Sequence, residues 1–120
     1  MPTPTPSERC DHISQAIDAI QRDVNGHGEQ AFLAADVLQA ACYYHFVVIG
    51  EAAGSLSSTC ATLIAQHVPN LTQSLSYANK LRNVLAHHYQ RADPKRVWDT
   101  IQKDLPQLYA DIRALRAVLP

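Results

Sequence analysis

Arg82 and His87 stand five positions apart in a stretch that also carries Asn83 and Tyr89. A guanidinium stays charged and donates a fork of hydrogen bonds to phosphate oxygens, and an imidazole exchanges protons near neutral pH. Together these groups suit phosphodiester chemistry on RNA, because the 2′-hydroxyl of RNA supplies the nucleophile. The spacing is also compatible with a solvated arginine and a histidine that caps a helix end.

Helical periodicity divides this stretch into two sides, because successive side chains on a helix are about 100° apart. One side is predicted to pack in the core and collects Leu81, Val84, Leu85 and His88. The opposite side carries Arg82, Asn83, Ala86 and His87. The sequence therefore predicts that Arg82 and His87 project from one exposed face, where the small Ala86 leaves space for a ligand.

Basic charge is concentrated around this motif. Residues 80–96 hold five basic residues and one acidic residue, whereas residues 1–79 hold two basic and seven acidic residues. A local basic cluster can bind phosphate even though the formal net charge of the whole chain is only −1. The cluster is also compatible with an ordinary solvated face, so by itself it does not define a nucleic-acid site.

Apolar residues recur at helical spacing through most of the chain. Helices are predicted from Ser7 to Val24, over residues 29–57, over residues 60–65, from Asn70 through the motif, and from Asp93 onward. Asn70 and Asp93 are the predicted N-caps, and Pro106 should kink or restart the last helix. The sequence predicts an all-α antiparallel bundle of four to five helices, with a single domain at residues 7–120 after an extended tail at residues 1–6.

Composition is typical of a globular protein without a membrane segment. Hydrophobic residues make up 47% of the 120 residues and charged residues 18%, which excludes an intrinsically disordered chain. No apolar run approaches the roughly 20 residues of a transmembrane helix, and the first residues do not form a secretory signal. The three cysteines include no C-x-x-C pair and are interpreted as packing residues of a cytoplasmic protein.

Four segments of the chain match the pattern of a known family in the same order. Residues 46–53 read FVVIGEAA, the motif reads Arg82-x4-His87-x-Tyr89, residues 93–101 read DPKRVWDTI, and residues 104–108 read DLPQL. These segments resemble the central-helix segment, the signature motif, the Val-Trp helix and the Leu-Pro-x-Leu tail of the HepT-like HEPN toxins. That family consists of small all-helical ribonucleases from bacterial toxin–antitoxin pairs, and the resemblance extends from about residue 12 to residue 115.

The resemblance implies an endoribonuclease toxin that needs no metal or cofactor and forms a homodimer, in which two motif helices face each other across a basic cleft. It assigns phosphate contact to Arg82, proton transfer to His87, and the cleft wall to Tyr89. Asn83 is implied as a supporting residue that orients the phosphate or His87. The family also implies a minimal-nucleotidyltransferase antitoxin that transfers AMP onto the motif tyrosine, here Tyr89. The other four tyrosines lie inside predicted helices and are expected to lack this accessible position.

Two residues of the central-helix segment have different expected roles. Gly50 is expected to allow two helices to approach closely. Glu51 is interpreted either as an acid that orients Arg82 or His87, as the resemblance implies, or as an exposed carboxylate without a role in the site.

The chain departs from the family pattern before the motif. An Ile-Pro-Trp usually lies about eight residues before the motif arginine, whereas here Val68-Pro69-Asn70 places its proline thirteen residues before Arg82. We therefore expect a lengthened connection into the motif helix.

Three classes of function remain open from the sequence. The Arg82/His87 pair favours the endoribonuclease toxin over a non-catalytic HEPN module that binds nucleotide or RNA. The basic segment disfavours the third class, a structural helical adaptor. A metal site is not predicted, because the six histidines are not grouped with the carboxylates or thiols that would complete a ligand set.

Overall fold

The structure, a computed structural model, describes residues 2–120 and is 85% helical, without a strand among those residues. The helices are α1 (Pro6–Val24), α2 (Glu29–Ala34), α3 (Asp36–Thr59), α4 (Ala61–His67), α5 (Leu71–His87), α6 (Pro94–Asp99) and α7 (Leu105–Val118). A 3-10 turn at Tyr89–Arg91 follows α5, and a π-helical turn at Thr100–Asp104 joins α6 to α7. The predicted all-α bundle is confirmed.

α3 lies at the centre of the bundle, between α1 and α5. Its inward face is completely or almost completely buried and carries Cys42, Phe46, Ile49, Ala52, Ala53 and Leu56. The apolar faces of α1 and α7 pack against each other and close the core. Within residues 2–120, no single helix is long and apolar enough to span a membrane, and α3 with α4 meets that criterion only as a pair bent by 90°.

The first helix begins one residue earlier than predicted, at Pro6, because Thr5 forms the N-cap. The Thr5 hydroxyl accepts a hydrogen bond from the Glu8 amide at 3.1 Å, and the Glu8 carboxylate accepts one from the Thr5 amide at 3.0 Å. This reciprocal capping box satisfies two backbone donors. Residues 2–5 precede α1 without regular structure, and Met1 lies outside the described residues. The predicted end of this helix at Val24 is confirmed, and Gly26 follows it with a φ of 82°.

The helix predicted over residues 29–57 is interrupted at Ala35, where the backbone is extended (φ −113°, ψ 90°). The carboxamide of Gln39 donates hydrogen bonds to the carbonyl oxygens of Phe32 at 2.9 Å and Leu33 at 3.2 Å, which caps the end of α2. The Phe32 ring is fully buried beside Trp98, with the ring centroids 5.3 Å apart. Burial of this aromatic ring offsets the backbone hydrogen bonds lost at the break. Periodicity misses the break because the apolar spacing continues through it.

The motif helix α5 begins at Leu71, directly after a short turn. The amides of Leu71 and Thr72 donate to the carbonyl oxygens of Val68 at 2.9 Å and Pro69 at 3.3 Å. The predicted side-chain cap by Asn70 is wrong, because this residue already has helical angles (φ −65°, ψ −21°) and its side chain makes no capping bond. The expected lengthened connection is not observed, because only residues 68–70 separate the end of α4 from the start of α5.

The last helical segment begins as predicted, with Asp93 accepting a hydrogen bond from the Lys95 amide at 3.0 Å and Pro94 in the first turn. The expected disturbance at Pro106 takes the form of the π-helical turn immediately before it. A proline has no amide proton to donate to the preceding turn, and the wider turn accommodates that loss without breaking the helix.

Candidate active site at the crossing of α3 and α5

α3 and α5 cross at Gly50, and the side chain of Arg82 lies directly against this glycine. A Cβ atom at position 50 would lie 2.2 Å from Cβ of Arg82, 2.9 Å from its Cγ and 2.8 Å from the carbonyl oxygen of Ala78. The expectation that Gly50 permits close helix approach is confirmed. The predicted placement of Arg82 opposite the packed side is wrong, because its stem lies in the α3–α5 contact and only 31% of the side chain is exposed.

The guanidinium of Arg82 reaches the surface and has two polar neighbours there. Nη1 donates a hydrogen bond to Oδ1 of Asn83 at 3.2 Å, and Nη2 lies 3.6 Å from Oε1 of Glu51. Nε is buried and has no hydrogen-bond partner among the described residues. The Glu51 side chain is 57% exposed, and an ion pair so open to water contributes little stability. A phosphate oxygen could therefore replace the carboxylate at small cost.

α5 ends at His87, and the chain then turns into the 3-10 segment that begins with Tyr89. His87, His88 and Tyr89 are all exposed. The prediction that His88 packs in the core is wrong, because the helix ends before it and its backbone leaves helical geometry (φ −139°, ψ 46°). Five residues of helix separate Arg82 and His87 by about 7.5 Å along the axis and about 140° around it. They therefore lie at the two edges of one broad surface of α5.

Solvent exposure of the side chain does not distinguish Tyr89, the motif tyrosine, from Tyr44. Tyr89 is 65% exposed, and Tyr44 on α3 is 65% exposed as well, contrary to expectation. Tyr43 is half-buried, and its pKa is raised by burial and further by the neighbouring Asp93, Cys42 and Tyr89. Tyr89 is distinguished by its position two residues beyond His87.

An apolar stripe on α3, formed by Val37 and Tyr44, leads towards this surface. Val37 is 85% exposed and Tyr44 is 65% exposed. The spacing of seven residues places both on the helix face that also carries Glu51, the neighbour of Arg82. The spacing of seven residues between Val37 and Tyr44 is the sequence signal that could have revealed this exposed face.

Beyond Arg82, the basic segment of residues 80–96 divides into one paired lysine and a group of cations without ion pairs among residues 2–120. Lys95 is paired with Glu29 and, at 3.1 Å, with Asp99, and its pKa is raised by these hydrogen bonds. The remaining positive charges beyond Arg82 line a groove of about 250 Å³ between α5 and the start of α6. We call this feature the basic groove and define it by Lys80, Arg91 and Arg96. The sequence indicated the cluster of charge but could not bring Lys80 next to Arg96.

No group of three or more histidine, cysteine, aspartate or glutamate side chains converges to form a metal site within residues 2–120. Cys10, Cys42 and Cys60 are buried and unpaired, which confirms their interpretation as packing residues. Burial raises the pKa of both Cys10 and Cys42 to about 11. These two thiols therefore stay protonated at neutral pH.

Comparison with known proteins identifies a family that covers most of the chain. The sequence model of the family described as "Ribonuclease HepT-like" matches residues 13–115. The matched range includes the helix crossing at Gly50, Arg82 with its polar neighbours, and the segment from His87 to Tyr89. No solved structure matches the chain.

Proposed function

Because the chain belongs to the HepT-like ribonuclease family, we propose that it is an endoribonuclease toxin of a toxin–antitoxin pair and that it cleaves RNA without a metal ion. The proposal is carried by one observation: Arg82 is clamped at Gly50 while its guanidinium reaches the surface that ends at the exposed His87. A phosphate-binding group held on two packed helices and a nearby proton-transfer group are the parts that such a reaction requires.

The proposed reaction is a transesterification in which RNA attacks its own backbone. Arg82 binds a non-bridging oxygen of the scissile phosphate and stabilises the negative charge that grows as the 2′-oxygen bonds to phosphorus. A neutral His87 accepts the proton of the 2′-hydroxyl, and a protonated His87 gives a proton to the leaving 5′-oxygen. The bond between phosphorus and the 5′-oxygen breaks, which leaves a 2′,3′-cyclic phosphate and a 5′-hydroxyl.

Glu51 and Asn83 are positioning residues in this proposal. Both contact the guanidinium of Arg82 from the side that faces solvent. They hold it at the surface before RNA binds, and the phosphate then takes the place of the exposed carboxylate. Arg82 suits this role because its planar fork of donors binds two oxygens at once.

A homodimer would supply the second proton-transfer group. The reaction uses a base and an acid, whereas one protomer has a single His87 in this surface. The apolar stripe of Val37 and Tyr44 supports a contact between two copies, because large exposed apolar side chains on one helix face favour association. A two-fold axis beside this stripe would bring both α5 helices to one cleft.

The proposed antitoxin is a minimal nucleotidyltransferase that transfers AMP from ATP onto Tyr89. The exposed phenol lies in the turn that directly follows α5, where a second protein can reach it. The phenolic oxygen would displace pyrophosphate from the α-phosphorus of ATP and release its proton to solvent. The attached phosphodiester would add negative charge beside Arg82 and occupy the space that RNA requires, so that both repulsion and bulk oppose cleavage.

The test is cleavage of single-stranded RNA by the purified protein in the presence of a metal chelator. We expect Arg82→Ala and His87→Ala to lower cleavage by about a hundredfold or more. Two matched controls should keep wild-type cleavage: His88→Ala, the adjacent exposed histidine, and Arg113→Ala, an exposed arginine on α7. Circular dichroism would verify the fold of each variant, and mass spectrometry would identify the cyclic phosphate.

Two results would count against the proposal. Activity that returns only with magnesium or manganese would contradict the metal-independent mechanism. Tight binding of RNA by the wild-type protein without cleavage would instead support the alternative, a non-catalytic HEPN module that binds nucleotide or RNA.

A further inference from the structure

The basic groove is a surface that the proposed chemistry at Arg82 and His87 does not use. Lys80 comes from the middle of α5, Arg91 from the end of the 3-10 turn, and Arg96 from the first turns of α6. All three side chains are exposed, and none forms an ion pair with another described residue. Three separate segments of the chain therefore bring unpaired positive charge to one concave site.

The acidic residue that lines the groove, Asp93, offsets only part of this positive charge. The carboxylate of Asp93 accepts a hydrogen bond from the Lys95 amide and caps α6, so it is committed to the backbone. Lys95, the fourth cation of the segment beyond Arg82, is neutralised by Glu29 and Asp99 outside the groove. The groove keeps a net positive charge from three cations and one acid, which suits a polyanion.

The floor of the groove is apolar and partly aromatic. Its lining includes Tyr77, Leu81 and Val84 of α5 and Val97 of α6. Tyr77 is 40% exposed, and its hydroxyl lies 3.0 Å from that of the buried Thr100, which holds the ring in place. A fixed aromatic ring beside cations is the combination that binds a base and its phosphate in single-stranded nucleic acids.

The groove adjoins the His87 end of the candidate active site along α5, whereas Arg82 lies about 160° from Lys80 around the helix axis. Lys80 and His87 are separated by two helical turns, so they lie within about 20° of each other around the axis and about 10.5 Å apart along it. The 3-10 turn that begins at Tyr89 ends at Arg91 in the groove. A strand bound at His87 can therefore continue into the groove without crossing a helix.

We propose that the basic groove is a second RNA subsite, which binds a nucleotide that flanks the scissile bond. The phosphate of this nucleotide contacts Lys80, Arg91 and Arg96, and its base or ribose packs on the apolar floor. This inference rests on the proposed function, because it takes Arg82 and His87 as the place of cleavage. The subsite supplies binding energy that is independent of the reacting atoms.

The test measures binding and cleavage separately. Binding uses a fluorescent 2′-O-methyl RNA single strand of about 12 nucleotides, within the size range of single-strand sites, which cannot be cleaved because its 2′-oxygens are blocked. We expect Lys80→Ala, Arg91→Ala and Arg96→Ala each to raise the Kd about three- to tenfold and to reduce the slope of log K against log salt by about 0.7. In cleavage assays on unmodified RNA, the effect should fall on KM more than on kcat.

The matched control is Lys103→Ala, which removes one exposed positive charge from the π-helical turn outside the groove. It should leave Kd, salt dependence and cleavage unchanged, and Arg96→Lys should recover most of the affinity that Arg96→Ala loses. An equal loss in Lys103→Ala would overturn the subsite, since it would indicate a general effect of net charge.

The outcomes separate this inference from the function on which it rests. Groove variants that bind with wild-type affinity and salt slope, while Arg82→Ala abolishes cleavage, would overturn the subsite alone. A wild-type protein that neither binds nor cleaves RNA would overturn both. Loss of affinity in the groove variants, with Lys103→Ala unaffected and the wild-type protein cleaving RNA, supports the subsite. The same loss, where the wild-type protein binds RNA without cleaving it, would overturn the proposed cleavage and leave the groove as an RNA-binding surface.

Discussion

Replacing Gly50 with alanine tests whether the crossing of α3 and α5 positions Arg82. The added methyl would lie 2.2 Å from Cβ of Arg82 and 2.8 Å from the carbonyl oxygen of Ala78. Neither atom is the free end of a flexible side chain, so the contact can be relieved only by moving α5 away from α3. The distance between the added methyl and Cβ of Arg82 must increase by about 1 Å before it reaches 3.4 Å, where ordinary van der Waals contact begins.

The expected effect on stability follows from two opposing contributions. Overpacking of a helix contact costs about 1–3 kcal/mol. The upper end applies here because the added methyl meets Cβ of Arg82 and the backbone of Ala78, neither of which can rotate away. Alanine recovers about 1 kcal/mol of helix propensity relative to glycine. We therefore expect Gly50→Ala to lower the free energy of unfolding by about 2 kcal/mol, which corresponds to a fall in Tm of about 8 °C for a chain of this size.

The effect on cleavage should exceed the effect on stability. A displacement of about 1 Å at a catalytic group can lower the rate about a hundredfold. We expect a loss of about this size in kcat/KM for Gly50→Ala, measured well below its Tm, where circular dichroism still reports a folded protein. The loss should be smaller than that of Arg82→Ala, because the guanidinium remains present.

Gly54→Ala, one helical turn further along α3, is the matched control. Its added methyl would lie 3.1 Å from Oδ1 of Asn79, the end of a side chain that can rotate away. We expect this variant to gain up to about 1 kcal/mol from helix propensity and to cleave RNA at the wild-type rate. Positioning of Arg82 by Gly50 would be refuted if Gly50→Ala kept wild-type kcat/KM, or if Gly54→Ala lost as much.

Three further predictions concern other parts of the surface and core. Tyr44→Asp should convert the proposed dimer to a monomer by light scattering and lower cleavage at equal protein concentration, and an active wild-type monomer would contradict the proposed shared cleft. Co-expression with the proposed nucleotidyltransferase antitoxin should add AMP to the peptide that contains Tyr89 and not to the equally exposed Tyr44, and modification of Tyr44 alone would contradict the proposed control. Burial raises the pKa of Cys10 and Cys42 from 9.0 to about 11, so their stabilising contribution is present below pH 9.0 and lost as pH rises through about 11. The Tm should therefore fall over that range, and thiol reagents should label neither residue at pH 8 until the protein unfolds.

The sequence predicts the helices well where a local rule determines them. Asp93 with Pro94 starts α6, and Asn25 with Gly26 ends α1, because capping and turn chemistry depend only on neighbouring residues. The break at Ala35 was missed, because it depends on burial of Phe32 against a residue 66 positions later, Trp98. The side-chain cap expected at Asn70 failed because the carbonyls of the preceding turn already serve the first amides of α5.

The composition of the site was predictable, but its arrangement was not. The sequence identifies Arg82, Asn83 and Glu51 as candidate site residues from their residue types. The structure places the side chains of Asn83 and Glu51 beside the guanidinium of Arg82. A helical wheel drawn for α5 alone assigned Arg82 to solvent, because it contains no information about the glycine on the facing helix. The basic groove likewise requires the fold, since its charges come from three segments.

The two principal residues of the site are held to different degrees, and this difference bears on the proposed dimer. Arg82 is fixed by two packed helices and by contacts with Asn83 and Glu51. His87 is exposed in the last turn of α5, where none of the side-chain hydrogen bonds described around the motif restrains its imidazole. General acid–base catalysis requires the imidazole within hydrogen-bond distance of the 2′-oxygen. If the proposed reaction takes place, bound RNA or a second copy across the proposed cleft would supply the restraint on His87 that one protomer does not provide.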